Sequence, residues 1–330
     1  MSKTSSNPQM DHGAAFRHEV MKGFLTDLRD VSTAKDKQEL LTSIQSFAFQ
    51  FLKDASDKDV TRSEEADQGL QVLWRMFIET AKVLEKDDPF HDKLVLLLLW
   101  TKEFGKLHKD LHSPDSAKTT WESSGFADRL QESWEHAVSS GTSFQLCNLA
   151  TFSSKALSAG ICQDSMVMTA LWYLREALET SAEAVTARLL PAAVIWVDQC
   201  RHRFLTLSIV DYSYEAHPKA HLFASGALVR TQGFNQPDFS LDRWLFWRRR
   251  FQQLSHSEDS GVAKEAKKGF TAMINCGRDL DYEVPGEAKF AERLQKAMWE
   301  ALVESGKESV DGDEININVD WVGQVDSEEY

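Results

Sequence analysis

The chain has 330 residues, of which 42% are hydrophobic and 27% are charged, a composition that is typical of a folded globular protein and excludes a disordered one. Its formal net charge is −14, since 37 Lys and Arg stand against 51 Asp and Glu. This balance disfavours general nucleic-acid binding, for which a basic surface supplies most of the affinity.

The negative charge is concentrated near the C-terminal end. Residues 303–330 contain nine acidic residues and one basic residue, a net charge of −8 that leaves −6 for the rest of the chain. A local anion-binding site stays compatible with such a nearly neutral body.

Cysteine usage and apolar runs predict an intracellular protein. The four cysteines (Cys147, Cys162, Cys200 and Cys276) form no CxxC motif, which favours reduced thiols over a disulfide scaffold. The N-terminal segment lacks the apolar stretch of a secretory signal. The longest apolar run, 94–100, is far shorter than the roughly 20 residues that a membrane helix needs. We therefore expect a soluble protein of the cytoplasm, with the nucleus as the alternative, and no membrane association.

Helical periodicity dominates the first third of the chain. Residues 1–13 are polar and are expected to be disordered. Apolar side chains then recur at spacings of three and four over 16–28, 40–52 and 70–84. Asp88 and Pro89 are a helix-start signal for a helix through about residue 107. Because its LVLLLLW run is apolar on every face, this helix is predicted to be central in the core.

A second group of helices is predicted after a polar loop at 113–120. Their expected ranges are 125–137, 143–158, 165–179, 182–207, 240–254, 262–274 and 287–302. Pro191 should kink the 182–207 helix or mark a restart. The predicted fold class is all-α, with about ten to twelve antiparallel amphipathic helices. We expect one large domain over 14–302, with a boundary near 110–122 as the alternative.

The acidic tail, 303–330, follows a different pattern. Ile315, Ile317, Val319 and Trp321 alternate there with polar residues. This alternation predicts a short strand or an extended docking segment.

The segment 233–254 predicts a tryptophan- and arginine-rich helix. Ser240 is a suitable N-cap, and Trp244, Trp247, Phe251 and Leu254 share one side. The helix also carries four arginines, at Arg243, Arg248, Arg249 and Arg250. Their guanidinium groups could together bind a phosphate, a carboxylate or an acidic partner. In the other interpretation they spread around the helix, form ion pairs and cover apolar neighbours. Trp244 and Trp247 are expected in the core.

Two further patterns contain residue types that occur in reactive sites. His108 and His112 lie four residues apart with Asp110 between them, but no further ligand cluster is close. Histidines at a helix C-terminus are also explained by its dipole, so no metal site is predicted. Cys200 lies near His202, yet residues two apart point to different sides of a helix, and a buried thiol is the expected outcome.

Common catalytic signatures are absent from the sequence. GxSxG, GxGxxG and GxxxxGK[ST] do not occur. We expect no cofactor, and the absence of these signatures favours a protein that is not an enzyme.

Four segments resemble a fungal family known as domain of unknown function 3632. They are HDKLVLLLLW (91–100), TALWYLREALE (169–179), LLPAAVIWVDQC (189–200) and FSLDRWLFWRRRF (239–251). The last is the most specific, because helix patterning alone rarely produces its order of aromatic and basic residues. The resemblance covers about 40–280 and implies a fungal origin and an all-helical fold. It implies no activity and no catalytic residues.

Two functional hypotheses follow. The first is a helical scaffold or adaptor that binds a protein partner, with the acidic tail as a docking or autoinhibitory segment. The alternative is a binder of a small apolar molecule, or an accessory enzyme of a fungal biosynthetic pathway, acting in a tryptophan-lined cavity. Its candidate polar groups are Tyr173, Arg175, Asp198 and His202. Nucleic-acid contact through the arginine helix is disfavoured by the overall charge.

Overall fold

The computed structural model describes residues 9–57, 64–112, 125–213, 222–231, 233, 238–274 and 276–305. All regular secondary structure in these ranges is helical, which confirms the predicted all-α fold. In chain order the helices are α1 (Gln9–Arg29), α2 (Ala34–Asp57), α3 (Glu64–Val83), α4 (Phe90–His112), α5 (Phe126–Ser140), α6 (Ser143–Ser158), α7 (Gln163–Leu178), α8 (Glu183–Ile209), α9 (Ala227–Thr231), α10 (Leu241–Leu254), α11 (Ser260–Ile274), α12 (Cys276–Asp279) and α13 (Glu287–Ser305).

The helices divide between two units, 1–170 and 171–330, with the boundary inside α7. Eleven of the thirteen helices in the described ranges have 14 residues or more, in keeping with the predicted ten to twelve. The single predicted domain over 14–302 and its alternative boundary near 110–122 stay predictions.

The first helix begins within the segment that was expected to be disordered. α1 starts at Gln9, although disorder was predicted through residue 13. No proline follows Pro8 before the apolar stripe, and Gly13 in a helix costs only about 1 kcal/mol relative to alanine. The helix can therefore extend towards the N-terminus beyond its apolar part.

The core of the first unit is built on α3. Leu73, Trp74 and Phe77 are fully buried there, and the α3 helix packs against α2, α5 and α6. The ring of Trp74 meets the ring of Phe126 edge-on at 5.4 Å. Indole Nε1 of Trp134 donates to the hydroxyl of Ser153 over 3.2 Å, which joins α5 to α6. The predicted apolar stripe of α3, over 70–84, is thus confirmed as part of the core.

The α4 helix belongs to the core of the first unit, but it is not buried on every face. Its start signal is confirmed, since the amide of Phe90 donates to Oδ1 of Asp88 over 2.9 Å. Leu94 and Leu98 are fully buried, but Leu96 is 63% exposed. A seven-residue run makes almost two helical turns, and α4, which packs against α2, α3 and α6, leaves Leu96 on its open side.

The second unit is built on α8, which packs against α10, α11 and α12. Trp196 and Phe204 of α8 are fully buried, and the ring of Phe204 stacks on Phe239 at 5.8 Å. The α8 helix runs through Pro191 as one helix, which excludes the restart, while the kink stays a prediction. The α10 and α11 helices approach closely at Gly269, where an added Cβ would lie 2.5 Å from the ring of Phe251.

Candidate functional site

The side chain of Arg243 points into the second unit and not to its surface. The α10 helix begins at Leu241 because Ser240 is its N-cap, whose hydroxyl accepts from the amide of Arg243 over 3.2 Å. Arg243 is 1% exposed. Sequence reasoning placed it on the basic side of the helix, and the structure places it in the core.

The partner of Arg243 is Glu179, which directly follows α7. Arg243 Nε donates to Glu179 Oε1 over 2.7 Å, and Nη2 donates to Oε2 over 3.2 Å. Glu179 is also 1% exposed. Two parallel charge-assisted hydrogen bonds from one guanidinium fix both its distance and its orientation.

Further donors and acceptors complete this buried network. Indole Nε1 of Trp247 donates to Glu179 Oε1 over 2.8 Å, and the amide of Gly226 donates to Oε2 over 2.6 Å. Arg243 Nη1 donates to the carbonyl oxygens of Phe223 and Asp238, at 2.9 and 3.2 Å. Burying two charges is costly unless such additional hydrogen bonds are made. The network therefore holds α7, α10 and 222–231 in one arrangement and leaves neither carboxylate oxygen free for a substrate.

A second ion pair lies nearer the surface. Arg248 Nη1 donates to Glu287 Oε1 over 3.3 Å, and Nη2 donates to the carbonyl oxygen of Pro285 over 3.0 Å. Burial raises the pKa of Glu287 to about 7, although the charge and hydrogen bond of Arg248 act in the opposite direction. This carboxyl group can exchange a proton near neutral pH, a property shared by many functional carboxyl groups.

The thiol beside this pair is not an activated nucleophile. Cys276 is fully buried, and burial raises the pKa of its thiol to about 12. The charge of Arg201 lowers that pKa, while Asp279 and Glu287 raise it. Nucleophilic cysteines need the thiolate form, which this environment disfavours. Cys200 is 4% exposed, which confirms its prediction as a buried residue.

The four arginines of α10 do not form one surface. Arg243 and Arg248 are engaged by Glu179 and Glu287, while Arg249 and Arg250 are half-buried. Burial lowers the pKa of Arg250, against the attraction of Glu183. The prediction that Trp244 and Trp247 belong to the core is confirmed, since both are fully buried.

The polar groups proposed for a cavity each have a partner within the fold. The hydroxyl of Tyr173 donates to the carbonyl oxygen of Leu189 over 3.0 Å. Arg175 donates to the carbonyl oxygen of Leu222 over 2.6 Å, and it pairs with Glu176. Asp198 pairs with Arg201 at 3.3 Å, and His202 lies 3.0 Å from Asp279, nearly half exposed.

Other predicted site residues lie outside what the structure describes. The docking residues Ile315, Ile317, Val319 and Trp321 belong to 306–330. His108 and His112 are in α4, but the described residues exclude their side chains. Within the described ranges, no group of three or more His, Cys, Asp or Glu side chains is arranged to hold a metal ion.

Sequence reasoning missed both acidic partners, Glu179 and Glu287. Glu179 ends the segment 169–179 and Arg243 lies in the segment 239–251, both of which resemble the family. Opposite charges in two such segments were the signal that could have predicted this ion pair. Glu287 stands in the first turn of α13, where an acidic residue is explained by the helix dipole alone.

The fold and the network together define an all-helical protein in which the buried charges of Arg243 and Glu179 hold helices together. The chain belongs to the family described as "Protein of unknown function (DUF3632)", which matches residues 74–251. That range contains Glu179, Arg243 and Trp247, and it ends before Cys276 and Glu287.

A fungal protein is among its relatives. "Oxopyrrolidines biosynthesis cluster protein G" of Penicillium oxalicum is 30% identical over 224 residues, which cover 59% of this chain and 60% of the relative. The chain therefore matches less than two thirds of that protein's length. No solved structure matches the chain. Among the described helices, none combines the length and the apolar character that crossing a membrane requires.

Proposed function

We propose that this protein is a helical adaptor that binds a protein partner, with the acidic tail, 303–330, as part of its docking surface. The observation that carries the proposal is that the buried charged groups pair with each other, whereas most of the excess negative charge lies in the tail. The most buried charged groups, Arg243 and Glu179, are engaged in holding helices together. The largest excess of charge instead lies in residues 303–330, with a net charge of −8.

The tail sequence supports a docking role. Its four alternating apolar residues (Ile315, Ile317, Val319 and Trp321) lie among acidic ones. Segments that bind as an added strand place alternate side chains in pockets, while main-chain hydrogen bonds supply affinity. Acidic neighbours would then select a basic partner surface.

Quantitative affinity purification from the native host tests this proposal. The full chain is compared with a full-length variant in which the four alternating residues are changed to serine. A matched control changes the intervening Asn316 and Asn318 to serine. We expect one or more proteins to be lost with the first variant and retained with the control. Equal recovery of every protein from both variants would contradict the docking role.

The same proposal has a cellular consequence. We expect the adaptor to meet its partner in the cytoplasm or the nucleus, where its four cysteines would stay reduced. Imaging of a fluorescent fusion in the native host tests this placement.

A second candidate function is binding of a small molecule in a fungal biosynthetic pathway. The name of the Penicillium relative, which places that protein in an oxopyrrolidine biosynthesis cluster, favours it. Trp244 supports it further, because its Nε1 is a buried donor with no acceptor among the described residues. A ligand carbonyl would satisfy such a donor. Native mass spectrometry of the protein purified from its host tests this candidate, and an unliganded mass would argue against it.

A further inference from the structure

The last described helix exposes a large aromatic side chain. Trp299 of α13 is 67% exposed, and Val303, one turn further along, is 63% exposed. Tryptophan is usually mostly buried, and it is enriched where proteins bind one another. Because residues four apart share one side of a helix, Trp299 and Val303 lie next to each other, and these two residues form the apolar stripe of α13.

Acidic side chains flank this stripe. Glu300 and Glu304 are exposed next to Trp299 and Val303, and the last turn of α13 contains no basic residue. The C-terminal end of a helix carries a partial negative charge, so acidic residues there are unfavourable unless a cation lies close. Lys296 approaches Glu300 only at 4.0 Å, and both side chains are largely exposed. Such a pair contributes little at a surface.

Within the second unit, the start of α13 is attached to α10. Glu287 and Pro285 receive the two hydrogen bonds from Arg248. About 12 residues separate Glu287 from Trp299, which is roughly 18 Å along the helix. The stripe is therefore presented on a helix that is anchored at its start.

We propose that the outer face of α13, defined as Trp299, Glu300, Val303 and Glu304, binds a basic amphipathic helix of a partner protein. This proposal rests on the adaptor function and names its partner class. Leucine-like side chains of the partner would cover Trp299 and Val303. Its lysine or arginine side chains would neutralise the two glutamates and the negative helix end.

The charge of this face argues against its being covered by the chain's own tail or by a second copy of the chain. The chain's own segment 306–330 is strongly acidic, so it would meet Glu300 and Glu304 with like charge. A second copy of the chain would bring the same two glutamates to the contact. Like charges brought together at an interface are unfavourable.

The test uses the full-length protein and a labelled synthetic peptide of about 14 residues, four helical turns, containing only leucine and lysine at helical spacing. Fluorescence anisotropy measures its affinity at about 50 mM and about 300 mM salt. The double variant Trp299→Ala, Val303→Ala should weaken binding about tenfold or more. Its control, Leu96→Ala with Val210→Ala, changes two residues that are 63% and 61% exposed and should leave affinity unchanged.

A charge variant tests the second half of the proposal. Glu300→Lys with Glu304→Lys should also weaken binding about tenfold, and it should reduce the dependence on salt. The control Glu39→Lys with Glu132→Lys changes two exposed glutamates of the first unit and preserves the same change in net charge. Far-UV circular dichroism checks that each variant keeps its helical content.

Three results would overturn the proposal. A scrambled peptide of the same composition that binds as tightly would show charge attraction without a docking face. Unchanged affinity for the Trp299 and Val303 variant would show that the peptide binds elsewhere. A dimeric mass by light scattering that this variant abolishes would assign the face to a second copy. The purification with tail variants does not depend on these three results. It therefore tests the adaptor function separately, even if the proposal for α13 is overturned.

Discussion

The ion pair of Arg243 and Glu179 is a strong determinant of stability at the scale of single residues. Both groups are 1% exposed, and removing either one leaves the other charged and buried. We expect Arg243→Met or Glu179→Leu alone to lower the free energy of unfolding by about 3 kcal/mol or more. The double variant should lose much less than the sum, with a coupling of about 2 kcal/mol. Urea denaturation of the four proteins measures this cycle.

The exposed pair of Arg129 and Glu132 serves as the control for that cycle. Its side chains are 44% and 61% exposed, and its N–O distance is 2.9 Å. Arg129→Ala should change the free energy of unfolding by less than about 1 kcal/mol. If Arg243→Met cost no more than this control, the buried network would not hold the helices.

His91 makes the first unit sensitive to acid. Its Nε2 lies 3.1 Å from the carbonyl oxygen of Leu84, beyond the end of α3, and its side chain is fully buried. Burial lowers the pKa of His91 below its ordinary value of 6.5. Below about pH 6.5 the unfolded chain therefore binds more protons than the folded one, and stability falls as the pH falls.

The variant His91→Gln isolates this effect. Glutamine keeps a neutral donor near Leu84 but does not titrate. Between about pH 7.5 and about pH 5.5, the thermal midpoint should fall more in the wild type than in this variant. Replacing His136, an exposed histidine, by glutamine is the control and should preserve the wild-type fall. Parallel curves for wild type and His91→Gln would contradict the prediction.

At the scale of helices, local sequence determines most of the structure. The predicted range 143–158 agrees with α6, because an apolar stripe lies between a Thr142 cap and Gly160. α9 and α12 have five and four residues, too short for periodicity to reveal. The inward position of Arg243 was also unpredictable, since its partner lies 64 residues earlier and helix patterning describes only neighbours.

The segment before α9 depends on a close backbone approach. An added Cβ at Gly226 would lie 2.5 Å from Cβ of Glu179 and 2.9 Å from its carbonyl oxygen. Gly226→Ala should lower the free energy of unfolding by about 1–3 kcal/mol. Gly23 has no atom within 4 Å of an added Cβ and lies inside α1, so Gly23→Ala should instead stabilise by up to about 1 kcal/mol. Urea denaturation of both variants checks the contrast in sign.

The attachment of α13 should weaken as the pH rises. The pKa of Glu287 is about 7 in the folded protein, against an ordinary value of 4.5. Between these values the folded chain holds a proton that the unfolded chain releases, so stability falls as the pH rises through this range. Glu287→Gln should remove that loss, whereas Glu292→Gln, at an exposed position of α13, should keep it. Denaturant titrations at about pH 5 and about pH 8 test both variants.

For the whole molecule, His91 and Glu287 change stability with pH in opposite directions. His91 lies in the unit 1–170, and Glu287 lies in the unit 171–330. Acid should therefore destabilise the core around α4, and alkali should destabilise the attachment of α13. Each effect should act on the unit that contains the titrating group, because the cost comes from placing a charge in that unit's own interior.

Hydrogen exchange followed by mass spectrometry resolves the two effects by helix within each protein. Opening free energies of α4 and of α10 are compared at about pH 5.5 and about pH 8 in the wild type, His91→Gln and Glu287→Gln. We expect His91→Gln to remove part of the acid loss in α4 and to leave α10 unchanged. Glu287→Gln should do the reverse at high pH. If each variant shifted α4 and α10 equally, the chain would unfold as a single cooperative body, and pH could not loosen α13 without loosening the other helices as well.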